Sequence, residues 1–475
     1  MTKIRIYNTL SRKKEIFKPI KKGFVGIYTC GPTVYSFSHI GNLRSYIFAD
    51  ILKRVFLYNK YKVKQVINVT DVGHLTSDAD EGEDKIEKAA LRENKKAEDV
   101  ANYYFGFFKQ DLEKLNILKP EIYCKATEHI KEQIELIKKL EKKGFTYKTS
   151  DGIYFDTLKF KNYGKMANLQ NQDLQAGKRI DLGEKKNVTD FALWKFSSST
   201  TLGINPPLKR QQEWEGPWGI GFPGWHIECS AMSMKYLGEH FDIHTGGIDH
   251  IPIHHTNEIA QSEAATGKKF VNYWIHGEFL NFKGQKISKS RLLADKSTGG
   301  LYTISELENQ KFNPLAFRYL TFITHYRDPL NFSLESLQSA QESYNRLKNI
   351  ISEISNPSGP VSGWKTNRKY LTAFNNAVNG DLDMPKALSI LWQLVRDKKA
   401  INKFSTIKEM DKVFGLDLLK KEKIEISSNV ENLVKDREQV RKSKDRQKSD
   451  ELRDKIKSLG YIVEDTPEGQ KIKKI

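Results

Sequence analysis

Residues 22–70 read KGFVGIYTCGPTVYSFSHIGNLRSYIFADILKRVFLYNKYKVKQVINVT. Residues 22–30 form the apolar run of a buried strand and end in a Cys-Gly-Pro turn. Residues 41–57 bring Leu43, Tyr46, Ile47, Ile51, Leu52 and Val55 to one face at helical spacing. Residues 63–70 read as a second strand. A strand, a helix and a strand in about 50 residues make a βαβ unit, hence a parallel sheet with a right-handed crossover. The expected class is α/β.

Outward from this unit the texture changes several times. Residues 83–145 read as mostly helical and highly charged. Residues 146–200 alternate and carry Gly, Asp and Asn turns, so short strands are expected there, in a section that looks inserted. Strand and helix patterns return over 224–290, where seven of the eleven histidines crowd between His226 and His276. Histidines scattered at random over a solvated surface would not gather so, and this segment is the first place to look for a site. From about 313 the chain reads as helical to its end. Pro357, Gly359, Pro360 and Gly363 mark a loop. Tyr370, Leu371, Phe374, Ala377, Leu388, Leu391, Leu394 and Val395 form an apolar stripe. Residues 435–459 hold ten Lys/Arg against six Asp/Glu, a surface suited to a phosphate backbone.

The whole chain sets the bounds. Its 475 residues are enough for about three domains. With 38% hydrophobic and 29% charged residues, wholesale disorder is excluded. A formal charge of +19, from 78 Lys/Arg against 59 Asp/Glu, points to a polyanionic partner, most often nucleic acid. Cys30, Cys124 and Cys229 are too few and too odd for a disulfide framework, and a reducing, cytoplasmic compartment is expected. No apolar run approaches the ~20 residues that cross a bilayer, and the first residues are too charged for a secretion signal. No internal repeat is present.

Three constellations could carry chemistry. The first is Pro32–Asn42, PTVYSFSHIGN, where a strand delivers His-Ile-Gly-Asn to a helix start. Helix N-termini suit phosphate, Gly41 permits close approach, and His39 and Asn42 can donate. An ordinary capped helix start remains the alternative. The second is Lys286–Ser290, KISKS, whose two lysines can follow the charge of a triphosphate; a solvated basic loop would read the same. The third is Cys30, Cys229, His254 and Glu258. His254 and Glu258 are four apart and share a helix face, and two thiolates, an imidazole and a carboxylate make a workable Zn²⁺ sphere. No CxxC announces it, so buried thiols stay open as the alternative, and Cys124 with His129 is a rival pair.

Taken together, HIGN and KISKS resemble the HIGH and KMSKS signatures of class I aminoacyl-tRNA synthetases. The words between them narrow the resemblance. YTCGPTVY, INVTDVGH, DFALWK, GFPGWHIECSAMSMKYLG, FDIHTGGIDHIPIHHTNEIAQSEA and VNYWIH look, in that order, like the cysteinyl-tRNA synthetase family. Further on, GDLDMPKALSILWQL looks like its helical domain of the DALR type, and KSDELRDKIKSLGYIVEDTPEGQ like its anticodon-reading module. Two departures stand out: Asn42 replaces the usual His, and Ile287 the usual Met.

The resemblance implies a Rossmann-like parallel-sheet catalytic domain over 1–310 with an insertion at about 120–220. It further implies a DALR-type helical bundle over 311–420 and an anticodon-binding module over 421–475. It implies activation of L-cysteine with ATP and Mg²⁺, transfer to tRNA(Cys), and one Zn²⁺ per chain on Cys30, Cys229, His254 and Glu258 that recognises the substrate thiol. His39, Gly41, Asn42, Lys286 and Lys289 would handle phosphate, with Lys289 the direct ATP contact. Thr70, Asp71 and Trp225 would hold the amino acid, with His226 and His244 beneath the zinc. Neither an editing domain nor a membrane partner is expected, and a monomer is. A related ligase that joins activated cysteine to an amino sugar would lack the C-terminal module. A binder of RNA without catalysis would not need both phosphate motifs and the metal set.

Overall fold

The computed structural model describes residues 3–73, 84–169, 184–197, 210–282, 285–286, 302–354, 365–420, 427–443, 445–466 and 469–474. An N-terminal hairpin (β1 Arg5–Asn8, β2 Lys13–Ile16) leads into β3 (Phe24–Thr29), α1 (Ile40–Tyr58) and β4 (Lys62–Val69). Helices α2 (Lys85–Glu93) and α3 (Ala97–Lys114) follow, then β5 (Ile122–Lys125) and α4 (Ile130–Lys142). The inserted strands are β6 (Thr146–Lys148), β7 (Gly152–Phe155), β8 (Phe191–Phe196), β9 (Trp214–Gly216) and β10 (Gly219–Pro223). The chain then runs through α5 (Trp225–Leu237), β11 (Phe241–Gly247), α6 (His254–Thr266) and β12 (Val271–Gly277).

The central sheet has the order β12-β11-β3-β4-β5, and every pairing in it is parallel. The chain builds outward from β3 to one edge and later from β11 to the other, so the crossover direction reverses between β3 and β11. In such sheets ligands sit at that point, beyond the carboxyl ends of the strands. β3 and β4 are buried almost throughout, as strands covered on both faces must be. The helical face expected on α1 is buried, and so are Arg44, Asp50, Lys53 and Arg54 on its polar side, because more chain packs there.

Ile122–Lys125, expected within the insertion, is the edge strand of the central sheet. At four residues it is too short to show a period. The inserted sheet, β6-β7-β8-β10-β9, is antiparallel and packs Phe155, Leu193 and Trp194 with Ile227 of α5 and Ala260 of α6.

β13 (Leu280–Phe282) pairs with β14 (Gln285–Lys286) and with β15 (Leu330–Phe332). The helices of the second half are α7 (Ile304–Asn309), α8 (Pro314–Thr321), α9 (Leu334–Ser352), α10 (Arg368–Val378), α11 (Met384–Arg396) and α12 (Lys403–Phe414). They share one continuous core with α1. Asp50 ties the two halves together. Its carboxylate accepts from Arg54 Nε at 2.7 Å, Arg318 Nη2 at 2.5 Å and the Leu118 amide at 2.8 Å. The guanidinium of Arg318 donates onward to the carbonyls of Phe414 and Leu115, and that of Arg54 to those of Lys412 and Asn116. Burial alone would raise the Asp50 pKa, but Arg318 and Arg54 hold it below the usual carboxylate range.

The chain is not helical to its end as expected. After α13 (Ser428–Lys442) and α14 (Arg446–Ser458) it closes with a hairpin, β16 (Tyr461–Thr466) and β17 (Gly469–Lys474). Its core is small: Val430, Ile456 and Val463. Arg437, from the stretch expected to be wholly surface, is buried and forks both nitrogens onto Asp465 at 2.9 and 3.0 Å. The loop marked by Pro357 to Gly363 lies outside the described residues.

Candidate active site

Four segments converge where the sheet reverses. Cys30 follows β3, and its amide donates to the Thr245 carbonyl of β11. Gly31 must be glycine: a Cβ there would lie 1.5 Å from the Asn68 carbonyl oxygen, against which the turn is pressed. The first turns of α5 and α6 bring in Trp225, Cys229, His254 and Glu258. Between these segments lies a cavity of about 300 Å³, lined among others by Cys30, Asn42, Thr70, Trp225, Cys229 and His254.

The ligand atoms of Cys30, Cys229, His254 and Glu258 all lie within 4.8 Å of one another, and all four residues are buried. A second set, Cys30, His244, His255 and Glu258, meets the same limit and shares two members with the first. The donors suit a soft divalent ion. Glu258 Oε1 is buried and lies at an ion-pair distance of 3.1 Å from His254 Nε2. His244 Nδ1 and His250 Nδ1 are buried and unpartnered. Such groups are costly in a closed interior unless something completes them. Burial pushes the Cys30 thiol up, and the Cys229 thiol is pushed up by its hydrogen bond with Cys30 and by burial. Burial would raise Glu258, but His244 and His254 hold it low. A divalent cation would complete the carboxylate and favour both thiolates.

The expected supporting residues divide. Thr70 lines the cavity, and its hydroxyl donates to Glu228 Oε2 at 3.0 Å. Trp225 forms part of the wall, its ring 4.6 Å from that of His254. His226 Nδ1 lies 2.9 Å from His254 Nδ1, and His244 Nε2 lies 3.0 Å from Glu258 Oε2, so both stand behind the metal set. Asp71 turns elsewhere, and its carboxylate accepts from the Thr127 amide and hydroxyl. His39 caps α1: its Nδ1 accepts the Asn42 amide at 3.2 Å. The Ile40 amide already serves the Tyr302 carbonyl. A Cβ on Gly41 would meet the His39 ring at 2.9 Å, so this glycine makes room for the cap. Of the His-Ile-Gly-Asn residues, Asn42 lines the cavity, with Ser45 and Tyr46 one turn on. Lys286 pairs through its backbone with Asn281, and Lys289 lies outside the described residues.

Sequence reasoning missed a polar line behind Cys30. Cys30 Sγ lies 3.1 Å from His255 Nε2, His255 Nδ1 lies 2.7 Å from His276 Nε2, and His276 Nδ1 lies 2.7 Å from Thr9 Oγ1. The crowding of histidines was the only signal for it, and Thr9 had none. Lys85, at the start of α2, also lines the cavity unforeseen. The rival pair dissolves. Cys124 Sγ contacts the Ile67 carbonyl, and His129 lies between the Lys125 carbonyl and the Tyr236 hydroxyl.

The chain is similar to known proteins. Residues 16–342 match the family described as tRNA synthetases class I (C) catalytic domain. Residues 424–472 match the cysteinyl-tRNA ligase anticodon binding domain. The chain is 46% identical to a cysteine–tRNA ligase of Burkholderia lata, over 99% of this chain and 96% of the relative. It is 43% identical to a cysteine–tRNA ligase of Treponema denticola, over 97% and 98%. Two solved structures share the fold at low identity. A Mycobacterium tuberculosis methionyl-tRNA synthetase with methionyl-adenylate is 14% identical (TM-score 0.54, 83% of this chain and 90% of that one). A ternary complex of an Agrobacterium radiobacter LeuRS with tRNA is 12% identical (TM-score 0.58, 84% of each). The first family model alone spans more than half of the chain, and the chain belongs to the class I cysteinyl-tRNA synthetase family.

Proposed function

We propose that the chain activates L-cysteine with ATP to cysteinyl-adenylate and transfers the cysteinyl group to the 3′ end of tRNA(Cys). The observation that carries this reading is the meeting of Cys30, Cys229, His254 and Glu258 where the sheet reverses, the first three on the wall of the cavity. These four would hold Zn²⁺, which supplies a soft centre that prefers a thiolate to an alcohol. Shape alone would separate near-isosteric side chains only ~10²-fold.

The chain's own groups have defined tasks. Trp225 walls the amino-acid end of the cavity and excludes water. Thr70 orients it from the β4 side while Glu228 fixes the Thr70 hydroxyl. His226 and His244 position His254 and Glu258. Attack of the cysteine carboxylate on the α-phosphate needs alignment and charge stabilisation, not a protein nucleophile. Asn42 and the capped start of α1 face the phosphates from one side. Lys286 and Lys289 would neutralise the departing pyrophosphate, with Mg²⁺ as the counter-ion that ATP carries. His39 acts through the cap that orients Asn42. We assign catalysis to 1–310, the DALR-type bundle to 311–420 and anticodon recognition to 421–475, in a cytoplasmic monomer. No helix among the described residues is long and apolar enough to cross a membrane.

Pyrophosphate exchange with cysteine and with serine, beside a zinc determination on the same preparation, tests the reading. Exchange with cysteine alone at about one zinc per chain is the expected result. Exchange without zinc would overturn the metal assignment, and no exchange with zinc present would overturn the activity.

A further inference from the structure

Among the described residues outside the cavity, Phe37 and Tyr103 leave a group of aromatic rings open on the surface. Phe37 is 41% exposed and Tyr103 45% exposed. The Phe37 ring lies 5.0 Å from that of Phe107 and 5.1 Å from that of Tyr104, both nearly perpendicular. Tyr103 and Phe107, one turn apart on α3, have ring centroids 5.0 Å apart. Tyr104 anchors the group from beneath, its hydroxyl donating to Glu93 Oε1 at 2.6 Å. A rigid aromatic patch left open on a surface is a recognition feature more often than an accident.

Two observations say what it recognises. The patch continues the cavity, since Ser36 and Ser38, on either side of Phe37, both line it. Its surroundings are basic: between Lys85 and Lys109, five exposed Lys/Arg stand against two exposed acids, Glu98 and Asp99. Lys95 Nζ lies 4.8 Å from the Tyr103 ring centre, and Glu93 is held by Arg92 and Lys95. Aromatic faces beside cations at the mouth of a nucleotide-sized cavity suit an unpaired nucleotide. Only unpaired bases offer a free face, and each stacks at little cost in sequence selectivity.

We infer that Phe37, Tyr103 and Phe107 form a stacking platform for an unpaired nucleotide near the tRNA 3′ end, steering the terminal ribose into the cavity. The inference rests on the proposed tRNA-charging activity and adds the surface that delivers the RNA. The platform acts after adenylate formation, so it affects transfer and leaves activation alone.

The test uses the full chain with Phe37→Leu and Tyr103→Leu combined, which keeps apolar bulk but removes both π faces, and with Phe37→Tyr as the conservative variant. Pyrophosphate exchange without tRNA should stay within about twofold of wild type while KM for tRNA rises about tenfold or more. Phe37→Tyr should charge normally. A tRNA carrying 2-aminopurine in its unpaired 3′ end should be quenched by wild type and by Phe37→Tyr, and not by the double variant. An unchanged KM, equal quenching in the double variant, or exchange falling in step with charging would each overturn the platform. Absent quenching with wild type would also overturn it and would leave the patch to a protein partner. A wild-type chain that exchanges pyrophosphate but charges no tRNA would overturn the functional reading itself, and the wild-type arm identifies that case.

Discussion

Two buried polar clusters lie along α1, and they are built on opposite terms. Past its middle, Asp50 meets Arg54 and Arg318, and none of these three side chains has a buried nitrogen or oxygen without a partner. Near its N-terminus, beyond the strands, cysteines, histidines and Glu258 crowd as densely, yet Glu258 Oε1, His244 Nδ1 and His250 Nδ1 are left without a hydrogen-bond partner. A completed cluster holds elements together. An incomplete one, opening on a cavity, is prepared for a ligand that supplies the missing contacts. Burial of polar groups alone does not distinguish structure from function, and neither does a lone unsatisfied atom; several of them gathered with soft donors beside a cavity do.

If the contrast is sound, the largest effect falls on the incomplete cluster. Cys229→Ser should lower cysteine activation by at least ~10²-fold, the scale on which even outer partners of metal ligands matter. Its circular dichroism and thermal unfolding should stay close to wild type. Asp50→Asn should do the reverse. Arg54 and Arg318 would lose their counter-charge, which costs about 3 kcal/mol or more, read by denaturant unfolding. Pyrophosphate exchange per folded molecule should be unchanged.

The same substitution makes a pH prediction. The folded Asp50 pKa is depressed, so its contribution is fully present above the ordinary carboxylate pKa of about 4 and is lost as pH falls through the lower folded value. The stability difference between wild type and Asp50→Asn should therefore be flat from neutral pH to about 4 and shrink below it.

Asp111, one turn before the loop that joins the Asp50 cluster, gives the smallest effect and the sharpest control. Burial raises its pKa to about 7, because Lys114 offsets that only in part and Glu308 adds to it. The folded state then holds the proton more tightly than the unfolded one, and stability falls as pH rises from the carboxylate range to about 7. Asp111→Asn should remove that fall and give a Tm above wild type at pH 8, with both alike in strong acid. A buried carboxylate with no converging donors is a local cost and not a site.

How much of this was legible depends on the range of each signal. The βαβ unit could be read because α1 repeats its apolar positions at helical spacing, β3 is an apolar run, and β4, KVKQVINV, carries Val63, Val66, Ile67 and Val69. β5, with four residues, and the charged strands of the closing hairpin carried no such period. In the site, His254 and Glu258 were readable as i, i+4 partners, and Cys30 was placed by the strand it follows. Their meeting with Cys229 became an expectation only through the resemblance of the surrounding words to a family. The link from Cys30 through His255 and His276 to Thr9 depends on three strands and a helix meeting. The pairing of Asp50 with Arg318 spans 268 positions. No local pattern encodes either. The cap made by His39 shows the opposite limit: a motif recognised at once, whose histidine turns its ring nitrogen to its own helix.

The most direct test of the central claim, that the unsatisfied cluster is completed by a metal which takes the substrate thiol, is replacement of the metal by Co²⁺ and absorption spectroscopy. One cobalt per chain should give a sulfur-to-metal charge-transfer band. L-cysteine should strengthen that band and L-serine should leave it unchanged, and Cys30→Ser should weaken it from the start. A bound cobalt without that band, or a band indifferent to cysteine, would contradict the account.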